Sequence, residues 1–231
     1  MVWHSRSRMA LTEEDGPVPK DADLTLQRAR NRWGQGQRLR TEILEAAARL
    51  LSEMGGEEGL TIRGVARAVG IAPASIYQHF ADKTALVQGV LEYDYERLAA
   101  EMADADEALP RSDVVGRVRA QMRAYCGFAI DNPGHYRLML SNRHGRGRPA
   151  PGERPRARLV MILDSVIEAF ERCESAGHRL RLPVERAAVM VFVGTHGRVA
   201  LWHADPDRGD AELIQSFVDE LISLIFADLN D

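Results

Sequence analysis

Apolar residues recur along this chain with a helical period. From about residue 38, Ile43, Ala47, Leu50 and Met54 return at one-turn intervals with Leu44 and Leu51 beside them, the pattern of a helix that buries one face. Gly55-Gly56 ends that pattern, since glycine enters the left-handed conformation at no steric cost. Thr61 is placed to cap a second helix with Val65, Ala66 and Val69 inward, and Gly70 stops it. Pro73 suits the first turn of a third helix, where a missing N–H costs nothing. Asp82 caps a fourth, with Leu86, Val90 and Leu91 inward, running to about Met102.

The remainder is helical too. "SDVVGRVRAQMRAYCGFAI" opens on a Ser112/Asp113 cap, and residues 133–140, "PGHYRLML", predict a short helix. "SNRHGRGRPAPGERP" predicts a loop, because Gly, Pro and Arg dominate and nothing apolar anchors it. "RARLVMILDSVIEAFERCESAG" is a long amphipathic helix closed by Gly177. The next helix starts with Pro183 at its first position and is apolar almost all round from Ala187 to Val193. In the last, Leu213, Ile214, Phe217, Val218, Leu221, Ile222, Leu224 and Ile225 form a stripe wider than one neighbouring helix covers. No segment alternates as a strand does, so the expected fold is all-α. Residues 1–37 lack an apolar period. They predict a disordered arm, acidic through "TEEDGPVPKDAD" and basic through "RARNRWGQGQRLR", which is either a solvated tail or an arm that reaches DNA phosphates.

Charge changes the picture locally. The chain has 231 residues, enough for one or two domains, and a net charge of −4. Residues 28–83 nevertheless carry nine Lys/Arg against six Asp/Glu, while residues 84–231 carry 18 against 23. The positive segment is the one with the short helices. Two cysteines, Cys126 and Cys173, are too few for a disulfide framework and predict buried thiols in a reducing cytoplasm. No apolar run approaches a bilayer span, and the N-terminus shows no signal-peptide core, so no membrane partner is expected. No metal-ligand spacing, GxSxG or phosphate loop is present, so neither an enzyme nor a cofactor is expected. A Cys126 or Cys173 pairing with His196 is no more than the coincidence any chain of this length offers.

In "TIRGVARAVGIAPASIYQHFADK" a helix, a glycine turn and a helix follow in helix-turn-helix spacing. Ala66 is small where the two helices cross. Val65, Ile71 and Ile76 form the shared seam, and Phe80 closes it. Ala74, Ser75, Tyr77, Gln78 and His79 are then left largely outside, a surface suited to a DNA major groove. This stretch closely resembles the DNA-binding domain of the TetR family of bacterial repressors. Thr61, Ala68-Val69-Gly70-Ile71, Ser75-Ile76-Tyr77-Gln78-His79-Phe80, Lys83 and Leu86 match the family pattern over roughly residues 40–90. The resemblance implies phosphate contacts from Thr61, Tyr77 and Lys83, and base contacts from Arg63, Ala74, Ser75 and Gln78. His79 is implied either against the DNA backbone or packed under the recognition helix. Ala72 and Pro73 stand where the family often has polar residues, so fewer base hydrogen bonds are expected.

Three parts are expected: the arm over 1–37 read from its composition and, as the resemblance implies, a three-helix helix-turn-helix domain over 38–86 and a helical-bundle ligand-binding and dimerisation domain over 87–231. The over-apolar last two helices support pairing of two copies into a four-helix interface, giving a homodimer on palindromic operator DNA. "NPGHYRLML" and "VFVGTHGRVALW" resemble a subgroup with a histidine-glycine signature on the penultimate helix. Tyr95, Met122, Tyr125, Phe128, Tyr136, Met139, Met161, Ser165 and His196 are the expected lining of a pocket for an unidentified hydrophobic or amphipathic effector. Plain core and a DNA-binding protein without a small ligand are the alternatives.

Overall fold

The computed structural model describes residues 20–54, 56–141, 158–205 and 211–227. Among them are nine α-helices: α1 Lys20–Met54, α2 Ile62–Val69, α3 Pro73–Tyr77, α4 Lys83–Glu107, α5 Val114–Asp131, α6 Pro133–Ser141, α7 Arg158–Ser175, α8 Val184–Ala204 and α9 Ala211–Ile225. The all-α fold is as expected, and the described residues hold no strand beyond one isolated bridge, Leu180 to Phe226. The chain divides into two units, residues 1–40 and residues 41–231.

Most helix ends fall where side-chain chemistry predicts. Thr61 Oγ1 accepts from the Gly64 N–H at 3.0 Å, Asp82 Oδ1 from Ala85 at 2.7 Å and Asp113 Oδ1 from Gly116 at 2.9 Å. Gly70 ends α2 with φ +78°, and Gly177 follows α7 with φ +92°, both left-handed positions that glycine fills at least cost. Three boundaries differ. Helix α1 begins at Lys20, inside the stretch expected to be disordered. Arg, Leu and Gln dominate residues 24–40 and are good helix formers without any apolar stripe. Helix α4 continues to Glu107, and Pro183 is the N-cap of α8 rather than its first helical residue. The expected loop over 142–157 lies outside the described residues, as does the arm before Lys20.

Helix α4 belongs to two packing groups. Its first turns bury Leu86, Val87, Gly89 and Val90 beside the short helices, and its later turns bury Leu98 and Met102 in the main core. Gly89 is needed there: a Cβ would stand 2.8 Å from the Phe80 ring and 3.2 Å from Leu44. The main core is built by α4, α5, α7, α8 and α9 around Tyr125, Phe170, Met122 and Val191. Within it Gly194 lets α8 close on α9, since a Cβ would meet Leu221 at 2.7 Å. Helix α6 abuts the end of α1, where a Cβ on Gly134 would stand 2.6 Å from the Leu51–Ser52 peptide.

Candidate nucleic-acid interface

The left-handed turn at Gly70 brings α3 back across α2. Val65 and Ala66 of α2, Ile76 of α3 and Phe80 are buried, and Ile71 is half-buried. Anchoring Ile76 fixes the rotation of α3. Ala74 and Gln78, two residues either side of it, share one outward face a turn apart, with Tyr77 next to them. Tyr77 is 56% exposed, and Ala74 and Gln78 are also exposed. Thr61 and Arg63 are exposed at the start of α2. Lys83 is half-buried in the first turn of α4, where the N-terminal dipole adds to its ammonium charge in favouring an anion. Two expected contacts sit less freely. Ser75 is only partly exposed. His79 is half-buried with its ring tilted on Phe80 at a centroid distance of 6.5 Å. Sequence reasoning passed over Arg67, which is exposed in the last turn of α2.

The expected effector lining separates into two groups. Tyr125 Oη lies 2.5 Å from His196 Nδ1, and the Tyr136 hydroxyl donates to the His196 carbonyl at 2.7 Å. Burial raises the pKa of both phenols and lowers that of His196. The Tyr125 hydroxyl and His196 Nδ1 thus share a hydrogen bond between two uncharged side chains. Phe192 stacks on His196, and His203 on Tyr136. Tyr95 and Phe128 instead set their edges against His135, whose Nδ1 is 3.1 Å from buried Asp94. Met122 is fully buried in the core. Met161 is 59% exposed near the start of α7, and the Ser165 hydroxyl donates to its own helix at Ile162 O. The Met139 side chain lies outside the described residues. His135, Asp94 and His203 had no sequence signal, because their hydrogen-bond partners are 41 and 74 positions away.

Both thiols are buried, which pushes Cys126 up to about 12 and Cys173 to about 11, far from a reactive thiolate. Among the described residues no three His, Cys, Asp or Glu side chains gather as metal ligands would, and no helix is long and apolar enough to cross a membrane.

Two family profiles match the chain. The one described as bacterial regulatory proteins of the tetR family covers residues 43–90, from within α1 through α2 and α3 to the start of α4. The one described as a tetracyclin repressor-like C-terminal domain covers residues 118–224. The chain belongs to the TetR family. Members of the TetR family are bacterial regulatory proteins. Curated relatives include the nucleoid occlusion factor SlmA of Marinomonas sp. (strain MWYL1), 29% identical over 127 residues, covering 55% of this chain and 61% of the relative. SlmA of Vibrio vulnificus (strain YJ016) is 31% identical over 128 residues, covering 55% and 62%. The chain thus spans about three fifths of the length of the curated relatives it matches. Among solved structures, a protein of unknown function from Rhodococcus sp. RHA1 superposes with a TM-score of 0.66 at 26% identity, covering 82% of this TetR-family chain and 96% of that one. A TetR-family transcription regulator from Marinobacter aquaeolei VT8 superposes with a TM-score of 0.60 at 17% identity, covering 86% and 100%, and shares the fold.

Proposed function

We propose that this protein is a ligand-responsive repressor that binds a palindromic operator as a homodimer in the cytoplasm and is released by a small hydrophobic or amphipathic effector. The observation that carries this reading is the outward edge of α3, with Tyr77 and Gln78 exposed over a sealed Ile76. In it, Thr61, Tyr77 and Lys83 hold phosphates, and Arg63, Ala74 and Gln78 face bases. Ser75 and His79 contribute more to packing than to readout. The domain boundaries it uses are 38–86 for the head and 87–231 for the bundle, with α4 crossing between them.

A second copy suits the surface of the last two helices. Val189, Met190, Val193 and Leu201 of α8 and Leu213 and Leu224 of α9 are 41–69% exposed. Val189, Val193, Gly197 and Leu201 recur every fourth residue, and Gly197 has nothing within 4 Å of a built Cβ, so a partner helix can approach there. A dimer also supplies the two recognition elements that a palindrome requires.

The effector would lie among Tyr95, Met122, Tyr125, Phe128, Tyr136 and His196, where phenols and imidazoles stand inside an otherwise apolar core. Its action is a population shift. It binds one head separation better than the other, and occupancy of the operator falls by that differential affinity, transmitted through α4. Selection of bound sites from random duplexes, followed by a chemical screen for release, tests the whole reading. A full chain that selects no duplex, or stays monomeric at micromolar concentration, would sink it. The SlmA relatives favour a second reading, in which the DNA-bound dimer takes part in nucleoid occlusion. Sites dispersed over a chromosome rather than gathered at promoters would favour it.

A further inference from the structure

The edge that α3 presents is unusual in what it lacks. Ala72, Pro73 and Ala74 are three consecutive exposed residues, and none carries a hydrogen-bonding side chain. Their position is fixed by the structure on both sides. Gly70 turns the chain, Ile71 N–H bonds back to Ala66 O at 3.0 Å, and Ser75 N–H bonds to Ala72 O at 2.9 Å. The buried Ile76 then locks the rotation. An exposed apolar edge of this kind cannot donate to or accept from a base.

The major-groove edges of the bases carry hydrogen-bonding groups and flat C–H positions, and the one apolar group that projects from them is the C5-methyl of thymine. Pressing Ala72–Ala74 against the O6 and N7 of guanine or the amino group of cytosine strips water from those atoms and returns nothing. Pressing them against a methyl buries carbon on carbon. One turn on from Ala74, the Gln78 amide is the first side chain on that face able to read a base by hydrogen bonds, and its geometry suits adenine N6 and N7.

We infer that this protein reads its operator chiefly by thymine methyl groups, through the exposed carbons of Ala72, Pro73 and Ala74, with Gln78 reading an adjacent adenine. The inference rests on the proposal above that α3 enters the major groove. Its half-site is therefore recognised by 5-methyl pyrimidines more than by hydrogen-bond pattern. A duplex in which 5-methylcytosine replaces cytosine at a contacted position gains affinity that cytosine itself does not have.

The experiment uses the full-length dimer and a duplex selected from a random pool. Each thymine of the selected half-sites is replaced singly by deoxyuridine, which removes the methyl and keeps every hydrogen-bonding atom. At one or two positions per half-site the substitution should weaken binding about four-fold, and about fifteen-fold when made in both half-sites. Ala74→Ser should bring the thymine-to-uracil ratio at its position towards one. Ala72→Ser should do so at a neighbouring position, and it keeps the fold safe because serine is a favoured N-cap. Uniform affinity for thymine and uracil at all positions, with Gln78→Ala still weakening binding, would overturn methyl readout while leaving DNA binding intact. A methyl effect unchanged in both serine variants would overturn its assignment to α3. Failure to select any duplex would overturn both this inference and the proposal beneath it.

Discussion

Helices α2 and α3 together bury only Val65, Ala66 and Ile76, whereas α8 alone buries seven residues. The head is held by local devices: the Thr61 and Asp82 caps, the Gly70 turn, and the Phe80 ring seated on Gly89 of α4. The bundle is held by apolar area, with Tyr125, Phe170, Met122 and Val191 fully or almost fully buried. A region that needs few side chains for its own stability can give the others to a partner. That is why the exposed face of α3 can be devoted to the proposed recognition of DNA, and why the exposed apolar surface of α8 and α9 is where a second copy is expected to lie.

The sharpest way to break this contrast is to cost the two regions against each other. Phe170→Ala should destabilise the protein by about 3–5 kcal/mol, measured by denaturant unfolding. Tyr77→Ala and Gln78→Ala should stay within about 0.5 kcal/mol of the parent while changing DNA binding. Equal losses at the two sites would dissolve the distinction.

Next comes the polar network that ties α4 to the bundle. The Asp106 carboxylate accepts from both Arg117 and Arg172, the latter at 2.7 Å. Asp106→Ala leaves two part-buried guanidinium groups short of an acceptor and should cost about 3 kcal/mol. Retained Tm in that variant would mean the network is solvated in solution.

Gly134→Ala tests the junction, where the built Cβ meets backbone that cannot swing away. A loss of about 1–3 kcal/mol is expected. A change in operator affinity in the same variant would show that α6 helps to set the head.

The pH dependence is smaller. Burial holds both His196 and His203 below the ordinary histidine value. As pH falls below about 6.5, the unfolded chain therefore binds protons before the folded one does. The contribution of both groups is complete above that pH and is lost as pH drops through their depressed folded values. His196→Gln should flatten the acid slope of stability relative to the parent. An unchanged slope would place the titration elsewhere. Smallest in free energy, Lys83→Ala should lower the salt slope of DNA binding by about 1 and weaken all sequences alike.

Legibility follows the same division. The head was readable residue by residue because its signals are local: a hydroxyl three residues before the amide it caps, a glycine at a positive φ, a proline in a first turn. The bundle was readable as helices but not as a site. Tyr125 and His196 were both expected as lining, yet nothing in their spacing foretold a bond across 71 positions. Met161 lies at the right helical spacing and still points to solvent. Helix α1 reached back to Lys20 without any apolar period, because good helix formers need no stripe to continue a helix already begun.

The amino-acid order therefore settled, through helical periodicity, side-chain size and capping chemistry, that this protein is helical, where most helices stop, and that one short helix turns Ala74, Tyr77 and Gln78 outward. Those are decisions taken within a few residues, where propensity and one or two hydrogen bonds suffice. Only the folded chain decided that His135 meets Asp94, that Asp106 gathers two arginines, that Gly89 makes room for Phe80 and that α8 keeps one apolar face uncovered. The His135–Asp94 and Arg172–Asp106 contacts join positions 41 and 66 apart, so they depend on how whole helices cross, and close packing in three dimensions leaves no short-range trace in the sequence.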